Sequence, residues 1–153
     1  TFEYTEIDSV IGNKTELYTR ARTFLASYFN SAKDVIQMDD KEAGKIIAKG
    51  FFEIEGAKGG FGNHLGNDKI WVTITIDVKD NKYRCKITNF IHEGGHYKGS
   101  ASGGPLVNET PQCGTFLMPK SRWKKFKMRA RELAELLLKD MHIAMNNSSN
   151  KDF

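Results

Sequence analysis

Residues 69–91 read KIWVTITIDVKDNKYRCKITNFI, and this stretch decides the fold. Apolar and polar residues alternate on both sides of Asp80-Asn81. A two-residue turn rich in Asp, Asn or Gly takes the positive φ angles that match the twist of its flanking strands. We therefore expect a β-hairpin centred on Asp80-Asn81.

Counting outward from this turn gives the register of the hairpin, because side chains alternate between the two faces of a strand. One face is apolar, and its expected cross-strand pairs are Val78–Tyr83, Ile76–Cys85, Ile74–Ile87 and Ile70–Ile91. The other face has favourable partners, and its expected pairs are Asp77–Arg84, Thr75–Lys86, Thr73–Thr88 and Trp71–Phe90. We expect the apolar face to pack on a core and the Trp71 face to stay open.

Two amphipathic helices and three further strands surround the hairpin in the sequence. Asn13 and Glu16 form a capping pattern for a helix that ends near Asn30. A second helix is expected from about Ser121 to Met145, where apolar residues recur every three or four positions. The patterns of residues 2–11, 34–39 and 44–54 favour strands.

This element order predicts an α+β fold. We expect a two-layer structure in which an antiparallel sheet of about five strands is backed by two helices, in the order β-α-β-β-β-β-α. One domain is predicted over residues 1–146, followed by a flexible tail over 147–153.

Composition is ordinary for a folded chain, with 27% charged and 39% hydrophobic residues in 153 positions. No apolar run approaches the roughly 18 to 20 residues that a membrane-spanning helix needs. The net charge of +4 comes from residues 120–131, KSRWKKFKMRAR, which contain no acidic residue. The basicity is therefore local, and a surface built throughout for polyanions is not indicated.

Two cysteines permit one disulfide. Alternation places Cys85 on the apolar face, where a free thiol behaves as a small hydrophobic group. A buried free thiol is favoured over a bridge to Cys113 in the loop that spans residues 93–119.

The open face of the sheet is the first candidate binding surface. Its predicted ligand-binding residues are Lys49, Phe51, Trp71, Thr73, Arg84, Lys86 and Phe90. Aromatic and basic side chains interleaved on a sheet can stack on a ligand and hold anionic groups. The alternative is that the loop 93–119 covers this face with its apolar segment, Phe116, Leu117 and Met118.

The start of the last helix is the second candidate. Its predicted anion-binding residues are Lys124, Lys125, Lys127, Arg129 and Arg131. These cations could bind nucleic acid, anionic lipid or an acidic glycan. A solvated helix face is the more common explanation of such a pattern.

Catalytic motifs are weak in this sequence. His92, Glu93 and His96 spell the zinc-peptidase pattern HExxH, which requires a helix. The intervening Gly94-Gly95 opposes a helix by roughly 2 kcal/mol relative to alanine, so a glycine-rich turn is favoured. The glycine-rich segment 56–66 lacks the GK[ST] ending of a phosphate-binding loop and is interpreted as a hairpin connection. We predict no catalytic residue, no metal site and no cofactor.

The succession of FLASYFNSAKDVIQMDD (24–40), KEAGKIIAKG (41–50), a strand that contains Trp71 and DNKYRCKITNF (80–90) resembles a bacterial domain family of unknown function with a TATA-box-binding-protein-like (TBP-like) fold. The resemblance covers about residues 4–92. It implies a secreted or periplasmic protein of the cell envelope, whose signal segment is removed before Thr1. It implies no activity and no catalytic residues.

We therefore expect a non-catalytic binding or assembly module of the bacterial cell envelope that uses the open sheet face and the loop 93–119 to bind an unknown protein, peptide or glycan partner. Nucleic-acid binding through the open sheet face or the basic helix is the alternative. A zinc hydrolase that uses the HExxH pattern is a third and weaker possibility.

Overall fold

A computed structural model describes residues 2–29, 35–54, 67–95 and 101–147. Its strands are β1 (Tyr4–Ser9), β2 (Ile36–Asp40), β3 (Lys45–Ile54), β4 (Asp68–Lys79), β5 (Lys82–Glu93) and β6 (Gly104–Pro105), and its helices are α1 (Lys14–Tyr28) and α2 (Lys120–Asn146). The sheet has the order β1-β5-β4-β3-β2, and β6 pairs with β5. The predicted α+β fold, with two helices and an antiparallel open sheet, is confirmed. The two-residue strand β6 is an addition to the five predicted strands.

Two compact units divide the described chain. The first unit comprises the described parts of 1–3, 51–72 and 88–133, and the second those of 4–50, 73–87 and 134–153. Strands β3, β4 and β5 and helix α2 each contribute residues to both units. A single domain over 1–146 stays a prediction, and residues 148–153 of the predicted tail lie outside the described residues.

The turn between β4 and β5 lies at the predicted place and has a second role in the second unit. Asn81 has the expected left-handed conformation, with a φ of +61°, whereas Asp80 does not have a positive φ. Its side-chain oxygen accepts from the Gly12 backbone N–H at 3.1 Å, and Asp80 accepts from the Lys14 N–H at 2.7 Å. The same two residues therefore close the hairpin and hold the start of α1.

Helix α1 begins as predicted. The Asn13 side chain accepts from the Glu16 backbone N–H at 2.9 Å. This satisfies one of the backbone donors that the first helical turn leaves without a partner. The buried face of the helix consists of Leu17, Tyr18, Ala21, Phe24 and Leu25.

Burial in the hairpin follows the predicted alternation as far as Ile87. In β4 every second residue from Ile70 to Val78 is buried, and in β5 Tyr83, Cys85 and Ile87 are buried. Burial raises the pKa of the Cys85 thiol to about 12. Both cysteines are free, so the predicted buried thiol is confirmed.

Beyond Ile87 the predicted register of β5 is wrong. Asn89 has a φ of +53°, and the alternation of burial reverses at this residue, as it does at a β-bulge. Phe90 and His92 are buried at 3% and 1% exposure, whereas Ile91 is 39% exposed. The expected pairs Trp71–Phe90 and Ile70–Ile91 therefore fail, because one extra residue exchanges the two faces of the strand.

Helix α2 spans Lys120–Asn146, close to the predicted bounds. In the first unit its buried residues are Trp123, Phe126 and Ala130, and in the second Ala134, Leu137, Met141 and Met145. The three- and four-residue spacing that identified the helix is therefore the spacing of its core positions. No described helix is long and apolar enough to cross a membrane.

Candidate binding surfaces

In the first unit, the open side of the strands carries two aromatic rings and a lysine, which we call the aromatic platform: Phe51, Lys69 and Trp71. The ring centroids of Phe51 and Trp71 are 4.9 Å apart. The Lys69 ammonium lies 4.4 Å from the centroid of Phe51 and 5.8 Å from that of Trp71. All three side chains are half-buried. They share one face because strand side chains alternate, and neighbouring strands bring them into contact.

Glu93 completes the platform from β5. The Trp71 indole N–H donates to its carboxylate at 3.4 Å. The reversal at Asn89 is what places Glu93 on this face, because an unbroken alternation would place it with the buried residues. The platform therefore combines apolar ring faces with one cation and one carboxylate.

Phe90 does not belong to this surface, contrary to the prediction. It is 3% exposed and packs edge-to-face against Phe2, with the ring centroids 4.9 Å apart. Among the described residues of the first unit, Phe51 and Trp71 form the aromatic part of the open face.

The alternative, in which Phe116, Leu117 and Met118 cover this face, fails for two of the three residues. Phe116 and Leu117 are 96% and 57% exposed, whereas Met118 is 3% exposed. Side chains this exposed cannot shield the aromatic platform. In the described part of the loop, Gly104 and Pro105 instead pair with the edge of β5, and the Leu106 N–H donates to the Phe90 carbonyl at 2.9 Å.

In the second unit, the open side carries the other predicted residues, Lys49, Thr73, Arg84 and Lys86. The Arg84 guanidinium binds Asp77 with its Nη2 at 3.0 Å, which confirms the predicted cross-strand pair. The same carboxylate lies 3.8 Å from the Lys45 ammonium. Arg84 is therefore partly neutralised, while Lys49 and Lys86 are exposed.

Of the HExxH residues, His92 belongs to a buried hydrogen-bond network in the first unit. His92 Nε2 lies 2.7 Å from the Asp68 carboxylate, and His92 Nδ1 accepts from the Gly103 N–H at 2.9 Å. The second oxygen of Asp68 accepts from the Gly95 N–H at 3.1 Å. Because Nδ1 accepts a hydrogen bond, the ring proton is on Nε2, which donates to Asp68.

This network leaves His92 unable to bind a metal. Both ring nitrogens are used, and the ring is stacked on Phe126 with the centroids 4.4 Å apart. Residues 92 and 93 belong to β5, and residues 94 and 95 are not helical, as the glycines predicted. His96 and the segment 56–66 lie outside the described residues. The network connects the loop segments around Gly95 and Gly103 to the strands. Sequence reasoning missed Asp68, the carboxylate of this network.

The predicted cations of α2 are only partly available for an anion. The Lys127 ammonium donates to the Asn108 carbonyl at 2.7 Å, and Arg129 pairs with Glu132 at 3.1 Å. Lys127 therefore holds the loop, as Trp123 does with its indole N–H to the same carbonyl at 3.0 Å. Lys124, Lys125 and Arg131 are exposed on the helix.

A further group in the second unit was not predicted. Glu6 and Asp8 of β1 and His142 of α2 have ligand atoms that all lie within 4.8 Å of one another. Burial, followed by the hydrogen bond and the charge of Asp8, raises the pKa of Glu6 to about 7. The hydrogen bond from Glu6 lowers the pKa of Asp8. The two acids alternate on one face of β1, which the sequence shows, but His142 is distant in the chain and gave no signal.

The described fold defines a class of protein, an α+β protein with an open antiparallel sheet and two helices. Residues 4–93 match the family described as a domain of unknown function (DUF4468) with TBP-like fold. Because the match spans more than half of the chain, the protein belongs to this family, as the resemblance implied.

Two solved structures have a similar fold. A DUF4468 family protein from Bacteroides ovatus is 13% identical, with a TM-score of 0.69 over 97% of this chain and 88% of that one. A TBP-like protein from Parabacteroides distasonis is 14% identical, with a TM-score of 0.68 over 95% of this chain and 92% of that one. Identities this low show a shared fold and nothing about a ligand. A comparison with curated proteins finds no match.

Proposed function

We propose that this protein is a non-catalytic binding module of the bacterial cell envelope, and that it holds its partner on the aromatic platform. The observation that supports this proposal is the Phe51–Trp71 ring pair, which is half-buried and presented on the open side of the strands in the first unit. An aromatic pair contributes about 0.5–1.5 kcal/mol beyond its buried area, so the two rings hold each other in place before a partner arrives. Preorganised aromatic side chains lose little entropy on binding.

The chemistry of the platform favours a partner of mixed polarity. Lys69 can pair with an acidic or hydroxyl group, Glu93 can accept hydrogen bonds, and the rings can pack on an apolar face. A peptide segment or the face of a sugar ring meets all three requirements. The partner class in this proposal is therefore a protein, peptide or glycan.

The buried network supports the non-catalytic part of the proposal. Asp68 and His92 are paired as an acid and a base are paired in many enzymes. Their side chains are only 7% and 0% exposed, so a substrate in solvent cannot reach them. The pair is better explained as a structural connection than as a proton-transfer dyad.

The envelope location comes from the family resemblance and is part of the proposal. Its test is fractionation of cells that express the whole gene, with detection in the medium, periplasm, membranes and cytoplasm. The envelope proposal requires the protein outside the cytoplasm. If the protein were found only in the fraction that contains the cytoplasmic marker, the envelope location would be rejected and the binding proposal would be unaffected.

Nucleic-acid binding is a second candidate, because a lysine lies against two aromatic rings and Lys124 and Lys125 are exposed on α2 in the same unit. Single-strand binders use such combinations to stack bases and hold phosphates. Glu93 counts against this candidate, since its carboxylate lies at the Trp71 indole and would repel a phosphate backbone.

The test of the main proposal uses Trp71→Ala, with Phe116→Ala as the matched control because Phe116 is an aromatic side chain at 96% exposure. Envelope proteins and glycans would be captured from the bacterium that carries the gene and quantified for wild type and both variants. We expect Trp71→Ala to reduce capture of at least one specific partner about tenfold or more, because truncation of a central aromatic anchor costs about 2 kcal/mol or more. Phe116→Ala should leave that partner unchanged. Equal capture by all three proteins would contradict the proposal.

A fluorescence-anisotropy titration with a labelled single-stranded oligonucleotide separates the second candidate from the first. Nucleic-acid binding would weaken steeply as salt rises and would be lost in Trp71→Ala. The main proposal expects no binding at physiological salt. Salt-sensitive binding that requires Trp71 would replace it.

A further inference from the structure

We propose that Glu6, Asp8 and His142 form a binding site for one divalent transition-metal ion of the zinc type. The site lies in the second unit, and the proposal is independent of the aromatic platform and of its partner. Two carboxylates and one imidazole supply the ligands, and the remaining coordination positions are left to water.

The geometry of the three side chains suits one small cation. His142 Nδ1 lies 2.9 Å from Asp8 Oδ2 and 3.8 Å from Glu6 Oε1. Metal–ligand distances of about 2.0–2.2 Å place tetrahedral ligand atoms roughly 3.3–3.6 Å apart. Small side-chain adjustments therefore bring all three atoms to coordination distance.

The donor set identifies the kind of metal. Glu6 and Asp8 alternate on one face of β1, with ligand atoms within 4.8 Å of each other, and their negative charges repel when both carboxylates are ionised. A cation between them removes the repulsion. The imidazole distinguishes the site from a calcium or magnesium site, because those ions prefer oxygen ligands only, whereas imidazole suits zinc and its neighbours.

Two neighbouring groups orient the ligands, as is usual around metal-binding histidines and carboxylates. The Tyr83 hydroxyl, in a side chain that is 1% exposed, donates to Asp8 Oδ2 at 3.1 Å. The Asn146 amide lies 3.2 Å from His142 Nε2. In the metal-free state Nδ1–H donates to Asp8 and Nε2 accepts from Asn146.

Metal binding changes this arrangement in a defined way. The ion takes the position of the Nδ1 proton, and the neutral ring then carries its one proton on Nε2. The Asn146 amide then turns its oxygen toward Nε2 to accept that proton. Binding therefore changes the tautomer of the neutral imidazole, which carries one ring proton before and after the ion binds.

Access to the site is open. Its side chains are partly exposed, at 27% for Glu6, 28% for Asp8 and 48% for His142. They line a shallow cavity of about 430 Å³ together with Glu135, Leu138 and Lys139. An ion can enter from solvent with its hydration shell and exchange water for the three ligands.

The test is calorimetric titration of Zn²⁺ into the full chain, without a histidine tag and after chelator treatment. Wild type is expected to bind one equivalent tightly, and His142→Ala and Glu6→Gln are each expected to weaken binding at least about tenfold, since even neighbouring groups of a metal site contribute 10–100-fold. The matched control is Glu132→Gln, which removes an exposed carboxylate that pairs with Arg129 elsewhere on the same helix. It should bind as wild type does.

A second readout is the melting temperature, which Zn²⁺ should raise in wild type and in Glu132→Gln but not in His142→Ala. His142→Ala is expected to fold, because His142 is an exposed helical residue and alanine is the best helix former. Absence of Zn²⁺ binding by wild type overturns the proposal. Binding that His142→Ala and Glu6→Gln both leave unchanged also overturns it, since the ion would then use other residues.

Discussion

At the scale of single residues, the direction of the hydrogen bonds at Asp68 requires a carboxylate, and asparagine cannot replace it without loss of stability. Its two oxygens accept from two donors, the His92 Nε2–H and the Gly95 N–H. Asn has one oxygen and one NH₂ group, so Asp68→Asn would turn a donor toward a donor inside the protein. We expect a loss of about 1–3 kcal/mol in the free energy of unfolding, measured by urea denaturation.

Asp77→Asn is the matched control for this prediction. The Asp77 side chain is 32% exposed and pairs with Arg84 on the open face. An ion pair of that kind contributes at most about 1 kcal/mol. If the two variants lost equal stability, Asp68 would not have the structural role assigned to it.

At the scale of elements, one residue decides what β5 presents on each face. Alternation predicted the strand correctly from Tyr83 to Ile87 and failed beyond it, because a pattern of period two contains no sign of where a bulge interrupts it. Asn at the interruption is the available signal in retrospect, since Asn tolerates left-handed backbone better than other non-glycine residues.

The prediction at this scale compares Asn89→Val with Asn89→Gly. Both variants remove the side-chain amide of Asn89. Only valine, which is β-branched, is strained at a φ of +53°. We expect Asn89→Val to be about 1–2 kcal/mol less stable than Asn89→Gly in chemical denaturation. Equal stability of the two variants would mean that the left-handed conformation at residue 89 is not required.

At the scale of the whole molecule, the order and type of the long elements were predictable and the tertiary sites were not. Periodicity identified two helices and five strands, since each has to bury one face. It gave no indication of β6, because a two-residue strand has no period. Nor did it bring together Asp8 and His142, which are 134 positions apart in the chain.

The sheet order leads to a prediction for amide hydrogen exchange. Strand β4 has a neighbour on each side, whereas β2 is an edge strand with four exposed residues among its five. We expect backbone amides of Val72–Val78 to exchange about tenfold or more slowly than those of Ile36–Asp40, because interior strands open only in larger fluctuations. Similar rates in the two strands, measured by mass spectrometry in native buffer, would contradict the sheet order.

The bulge at Asn89 also affects how distant relatives have to be compared. Near 13% identity, an alignment that is one position out at this point still looks acceptable. It would nevertheless match Glu93 of the solvent side with a relative's interior residue, and His92 with an outward one. The last four residues of β5 therefore have to be aligned between family members by their backbone torsion angles. An alignment by residue similarity alone would pair buried positions with exposed ones.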